Sequence, residues 1–381
     1  MPMPIEATLT HPLTAACEPW PDVATARRFL SGLAAGVPIP CPIPPDALAA
    51  WAQQHGLGPL VSSCYPGQLP QLQADYFSAV AEQALMKSLL QEIVAAAGQV
   101  EVPLLLLKGA ALAETVYADA AQRPMTDIDI WVPAGDVARL VGALLAAGWQ
   151  SLTLAPDRPP ALQAMGQGEL QLARPGWVNG LVEVHWSPFV GWWQQRTTNI
   201  DNAGLWARRE PLPMSPALFQ LAPEDTVLHL AFHVAVNHQF SLSAVRSLLD
   251  LALTVRHRPV QWPVVWARAQ AWRMATVLWL ALALAVALVD LPAEVLRWHP
   301  AGWRQRALAR LVNPQTILAG SHLSAQQARY ALLLLLVDRP RDAAGLLGRT
   351  LWPEPEWLLA RYGAAGQRWH HLWQVVRYGQ I

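Results

Sequence analysis

The sequence predicts an α+β protein in which a small mixed sheet with helices is preceded by a helical N-terminal region and followed by a helical domain. Helix and strand signals alternate between residues 85 and 147 and give way to several strands up to residue 186, whereas after about Ser215 the signals are helical. A third observation places chemistry on the sheet. Asp127-Ile128-Asp129 reads as a strand whose alternation sends both carboxylates to one side and turns Ile128 and Ile130 into the core. The expected division is residues 1–79 as the helical N-terminal region, 80–212 as the sheet-bearing core and 213–381 as the helical domain.

The elements follow in order. The proline-rich first 70 residues hold one clear helix, 47–55, ended by Gly56-Leu57-Gly58-Pro59. Leu85, Met86, Leu89, Leu90, Ile93 and Val94 recur at helical spacing, predicting an amphipathic helix that stops near Gly98. An apolar strand, 102–107, passes through Lys108-Gly109 into a helix over 110–117. The strand 127–132 is followed by a helix over 136–147, with Asp136 as N-cap and Gly148 closing it. Residues 150–154, 169–173 and 181–186 carry strand patterns. Helices are expected over 225–236, 243–255, 264–289 and 325–337, and the tail 352–381 is rich in Trp and Arg. Without a fixed-period repeat, a solenoid is not expected.

Lys plus Arg equals Asp plus Glu at 27 each, so no broad basic surface offers itself to duplex nucleic acid. Lys87 and Lys108 are the only lysines, which marks Lys108 as kept for its compact charge. Cys17, Cys41 and Cys64 are odd in number and lack C-x-x-C spacing, as reduced thiols of a cytoplasmic protein would. The start M-P-M-P-I-E-A-T carries no signal-peptide pattern. The apolar stretch 274–289 would span about 24 Å as a helix, short of the roughly 30 Å hydrocarbon thickness. It reads as a buried core helix, with a membrane anchor as the rival.

Asp127 and Asp129 either share a divalent metal or cap a strand at the surface. Mg²⁺ prefers hard oxygen ligands and keeps phosphates or waters in its other positions, which suits an enzyme handling a nucleoside triphosphate. Val182-Glu183-Val184-His185-Trp186 offers a third carboxylate on a later strand, with Glu183 and His185 on one face. Two ions held about 3.5–4 Å apart would align an attacking oxygen with the α-phosphate, and Glu183 would accept the acceptor's proton. Lys108-Gly109 opens a helix whose N–H groups suit a phosphate, or is an ordinary turn. Arg123 reaches triphosphate oxygens or pairs with Asp119. His229 and His233 share a helical face with His238 a turn beyond, and either join His185 in a zinc site or bond neighbours. Arg246 and Asp250 read as an intrahelical pair. Trp192-Trp193 stack on a ligand or pack under a loop. No P-loop or Rossmann motif occurs.

L-L-L-L-K-G-A-A-L, R-P-M-T-D-I-D-I-W-V, a later G-W and V-E-V-H-W together resemble the uncharacterised nucleotidyltransferase family of the polymerase β superfamily. A-W-A-Q-Q-H-G-L-G-P-L near Trp51, H-L-A-F-H-V-A-V-N-H from His229 and L-W-P-E-P-E-W-L-L-A-R-Y-G from Leu351 extend the resemblance along nearly the whole chain. It implies a polymerase β-type core and Mg²⁺-dependent transfer of a nucleoside monophosphate from an NTP. Asp127, Asp129 and Glu183 would be metal ligands for two Mg²⁺ ions, and Lys108, Gly109 and Arg123 would hold the triphosphate. The chain departs from the superfamily in carrying Lys108-Gly109 for Gly-Ser or Gly-Gly, and Glu183 where Asp is more usual. A catalytically weak nucleotide-binding relative is the alternative.

Overall fold

The computed structural model describes residues 19–152, 168–177, 180–212, 215–241, 243–320, 323, 325–363 and 367–378. Cys17, the chain start and the last two residues of the strand expected over 150–154 lie outside them.

The N-terminal region is helical, but where the sequence marks one clear helix it holds three, α1 (Val23–Ala35), α2 (Pro45–Gln54) and α3 (Gly58–Cys64), the last opening at Gly58-Pro59. The long α4 (Gln73–Gln99) then leads to β1 (Leu104–Leu106) and α5 (Lys108–Thr115). Next come β2 (Asp127–Trp131), α6 (Val137–Ala146), β3 (Gln150–Ser151), β4 (Glu169–Ala173) and β5 (Leu181–His185). Two short helices, α7 (Trp192–Thr197) and α8 (Asn202–Ala207), precede β6 (Glu210–Leu212) and β7 (Ser215–Gln220). All seven strands form one mixed sheet in the order β3-β4-β5-β2-β1-β7-β6. β7 extends the sheet beyond residue 212, where the sequence expects only helices. Pairing between β7 and β1 is parallel, a long-range match that local pattern does not reveal.

Alternation sorts the sheet. Leu104, Leu106, Ile128, Ile130, Val182 and Val184 pack with Met86, Leu89 and Ile93 of α4 and Leu140 and Leu144 of α6. The opposite face carries Leu105, Trp131 and the acidic residues, and it looks toward the C-terminal helices. Leu105 and Trp131 join a second, larger core there with Leu221, Val227 and Leu228. That core also takes in Phe29, Leu48 and Trp51, so N-terminal and C-terminal helices share one interior. The Trp51 indole N–H donates to the Leu318 carbonyl at 2.8 Å, an anchor across 267 residues.

The helical half continues with α9 (Pro223–Phe232), α10 (Ala244–His257), α11 (Trp262–Ala271) and α12 (Ala275–Leu288). The single helix expected over 264–289 is two. Arg273 takes φ +61°, breaking the run, and Asp338 restarts it by accepting the Ala275 and Thr276 N–H groups at 2.7 and 2.8 Å. Thr276 and most apolar side chains of α12 are buried, and no described helix is long and apolar enough to cross a membrane. Gly148 closes α6 in a left-handed turn as predicted. Asp136 stands at the N-cap position but caps no N–H, because its carboxylate is turned to Arg139.

Candidate active site

Strand register builds the site. β2 and β5 run parallel with Asp129 opposite Glu183, while β4 runs antiparallel to β5 with Gln171 opposite Glu183 and Glu169 opposite His185. One face therefore carries a polar patch across three strands. The Leu107 N–H donates to the Asp129 carbonyl at 3.0 Å, which sets this patch beside the turn into α5. Lys108 makes the turn with φ +45°, a left-handed backbone that side chains rarely adopt. Conformations of this kind cost on the order of 1–3 kcal/mol and gather at functional sites.

Asp129 is the hub. Its Oδ1 accepts from Lys108 Nζ at 2.7 Å and lies 2.9 Å from His185 Nε2. Glu183 places Oε2 3.5 Å from His185 Nε2 and 3.9 Å from Lys108 Nζ, while its other oxygen accepts from the Gln171 amide. His185 Nδ1 lies 3.2 Å from Glu169. Asp129, Glu183 and His185 each present one ligand atom, all within 4.8 Å of one another, so the three could hold a metal ion. Asp127 stands two residues away on the same strand face and outside that trio. The carboxylates suit Mg²⁺ or Mn²⁺, whereas the imidazole suits a transition metal.

Charge balance supports the fit. Asp127, Asp129, Glu169 and Glu183 crowd around Lys108 and His185, while the charges of Arg123 and Arg246 reach only Asp127. Burial resists ionising Asp129, yet Lys108 and His185 hold its carboxyl well below the usual range. The remaining acids bear the excess. Burial, then the charges of Asp129 and Glu183, push Asp127 up to about 6, and burial with Glu183 pushes Glu169 up to about 7. Burial opposes a proton on His185, but its bonds to Asp129 and Glu183 outweigh this and raise it to about 9. A divalent cation would neutralise the surplus.

These shifts set a pH dependence for the metal-free protein. An acid raised on folding lowers stability as pH climbs between its ordinary and folded values, from 3.8 to about 6 for Asp127 and from 4.5 to about 7 for Glu169. His185 adds stability that is complete below 6.5 and lost as pH rises through about 9. All three act in the same direction. In chelator, the wild-type thermal midpoint should fall more between pH 5 and pH 7 than that of Glu169→Gln, measured by scanning fluorimetry. An equal or smaller fall contradicts the charge balance.

The other sequence-predicted residues divide. Gly109 is the second residue of α5, whose start no side chain caps. Arg123 is buried and grips Asp250 of α10, with Nε 2.9 and 3.1 Å from its two oxygens and Nη2 at 2.9 Å. Asp119, the alternative partner, instead caps Ala121 and accepts from the Tyr76 hydroxyl. The intrahelical pair expected of Arg246 and Asp250 gives way, since Asp250 is occupied by Arg123 and by the Tyr117 hydroxyl at 2.7 Å.

His229 and His233 stack with ring centroids 6.2 Å apart, and His238 Nε2 lies 2.8 Å from His233 Nε2. Burial and the nearby Lys108 charge drive His229 down to about 3, keeping it neutral. His185 turns to the acids, so among the described residues these histidines form no four-imidazole zinc site. Trp193 packs in the core and donates to the Leu333 carbonyl, while Trp192 stacks on Tyr330 nearer the surface. Sequence alone does not single out Glu169, Gln171 or Tyr117, and it gives Asp250 only as a partner of Arg246. Alternation along β4 puts Glu169 and Gln171 on one face, but only the β4–β5 register brings them to the acids.

The family described as "Uncharacterised nucleotidyltransferase" matches residues 42–290, from just before α2 to just after α12. The segment from Leu351 lies outside that match. No curated protein matches the chain.

Proposed function

Since the chain belongs to the uncharacterised nucleotidyltransferase family, we propose that it is a Mg²⁺-dependent enzyme moving a nucleoside monophosphate from an NTP to an acceptor, releasing pyrophosphate. The acceptor group is a hydroxyl or phosphate of a small molecule, peptide or protein. One observation carries this reading: Asp129 and Glu183 stand side by side on adjacent strands, next to the turn where Lys108 opens α5.

Asp127, Asp129 and Glu183 would hold the metal. A bound divalent cation neutralises phosphate charge and orients the reacting oxygens. The rest falls to the chain. Lys108 carries its ammonium on a flexible stem and can pass from Asp129 to a phosphate oxygen. The uncapped start of α5 adds N–H groups and a favourable dipole for an anion. Glu183 would accept the acceptor's proton. Arg123 supports the site from behind, tying the segment before β2 to α10 through Asp250.

Gly109 gives a specific expectation. A Cβ built there would lie 3.5 Å from Arg123 Nη1 and from Met125 Cβ, ordinary contact distances. Gly109→Ala should change stability by no more than about 1 kcal/mol, since alanine is the better helix former. NTP affinity should fall about tenfold where the backbone approaches phosphate. Calorimetric titration checks this, and unchanged affinity removes Gly109 from the binding surface.

Pyrophosphate release from a panel of NTPs, with metabolite and protein extracts as acceptor sources, tests the activity. Release should require a divalent ion and favour one NTP. A second reading, a catalytically weak nucleotide-binding relative, draws on the Lys108 ammonium, which pairs with Asp129 at 2.7 Å and stands 3.9 Å from Glu183. That cation must move before a metal can seat. A silent panel alongside measurable Mg·ATP binding favours this second reading.

A further inference from the structure

Arg246 lies one turn before Asp250 on α10, so both side chains leave the same helical face. Asp250 is spent on Arg123 and Tyr117. Among the described residues no carboxylate stands within ion-pair distance of Arg246, and its Nε is buried without a hydrogen-bond partner. The guanidinium lies instead against Gly56, where an added Cβ would come within 2.8 Å of Nη1. Gly56 has φ +65°, so this turn between α2 and α3 is held by a residue that leaves room for the arginine.

The charged and titratable groups around Arg246 are Arg123, Asp250, Tyr117 and Asp127, with His238 interacting from the preceding turn. His238 in turn interacts with Lys108 and Asp129. Arg246 thus stands at the seam of α10, the Gly56 turn and the segment entering β2, on the side of the sheet that carries the acids. Burial and the Arg123 charge lower it only to about 10, so it stays protonated at neutral pH. A half-buried guanidinium without a counter-ion is destabilising, and its planar fork matches phosphate oxygens. Arg123 has no such freedom: Nε and Nη2 are on Asp250, and Nη1 donates to the Pro124 carbonyl at 2.9 Å.

We infer that Arg246 is a binding residue for the nucleotide, its guanidinium contacting a phosphate beyond the α position, an inference that rests on the nucleotidyl-transfer reading above. Two consequences follow together. Removing the charge weakens the triphosphate's hold, and it relieves the nucleotide-free protein of an unpaired cation. Loss of a purely structural arginine would lower the midpoint and weaken ATP and AMP alike.

Calorimetric titration of the full chain with ATP and with AMP in Mg²⁺, for wild type, Arg246→Met and Arg246→Lys, tests this. Arg246→Met should weaken ATP about tenfold or more and leave AMP within about twofold. Its nucleotide-free thermal midpoint should be equal to or above that of wild type, and Arg246→Lys should recover part of the ATP affinity. ATP affinity unchanged in Arg246→Met overturns the inference. So does equal weakening of ATP and AMP with a lowered midpoint, which marks a structural residue. Where the release panel favours another NTP, that NTP and its monophosphate replace ATP and AMP, and a wild type that binds no NTP of the panel overturns the nucleotidyl-transfer reading itself and this inference with it.

Discussion

Asp129→Asn should reduce pyrophosphate release by on the order of 10²–10³-fold, the scale reached when one preorganised electrostatic contact is removed from an active site. Asp129 is 4% exposed and is the meeting point of Lys108, His185 and Glu183. The amide keeps the shape but removes the charge that both neighbouring cations face. Stability should also fall, by about 3 kcal/mol, because Lys108 and His185 are then buried with less compensation. Activity must therefore be read well below the variant's thermal midpoint. Glu183→Gln separates the two effects, since Glu183 has weaker contacts with those cations, at 3.9 and 3.5 Å. It should lose comparable activity with a smaller loss of stability. Either variant retaining more than about a tenth of wild-type turnover would contradict the assignment.

Asp250→Ala should destabilise the protein by about 3–5 kcal/mol, the range for stranding a buried charge by removing its partner. Arg123 is bonded to both Asp250 oxygens, and the two side chains are 11% and 2% exposed. Truncation leaves the guanidinium buried beside Arg246, with only the Pro124 carbonyl as acceptor, and removes the partner of the Tyr117 hydroxyl. Replacing both members, as Arg123→Met with Asp250→Leu, should recover most of the loss. Denaturant unfolding measures both. A loss under about 1 kcal/mol in Asp250→Ala would show that the bridge does not tie the sheet to the helical half.

The sheet and the acids differ in how far sequence could reveal them. Alternation locates Asp127, Asp129, Glu183 and His185 because each sits on a strand with one apolar face, and that pattern survives without tertiary information. Strand patterns also place β1 and β4 within a few residues of their observed bounds, and the apolar run 274–289 marks the buried helix α12, although the single helix expected over 264–289 is two. The partners were hidden for a physical reason. Asp250 meets Arg123 across 127 residues, and Glu169 reaches His185 through an antiparallel register that no local pattern encodes. The four-residue spacing of Arg246 and Asp250 predicts an intrahelical pair worth only about 0.2–0.5 kcal/mol. A bidentate, buried partner outcompetes it. β7 carries no local signal because its pairing with β1 is non-local, and neither does the break before α12, whose cap comes from Asp338, over 60 residues away.

The most direct test of the central claim is a crystal structure of the protein with Mn²⁺ and a non-hydrolysable ATP analogue, read by anomalous scattering. The expected result is an ion about 2.1 Å from oxygens of both Asp129 and Glu183, with the Lys108 ammonium moved from Asp129 onto the phosphates. Anomalous density absent from this face, with Lys108 still seated on Asp129 and the nucleotide bound elsewhere, would contradict it.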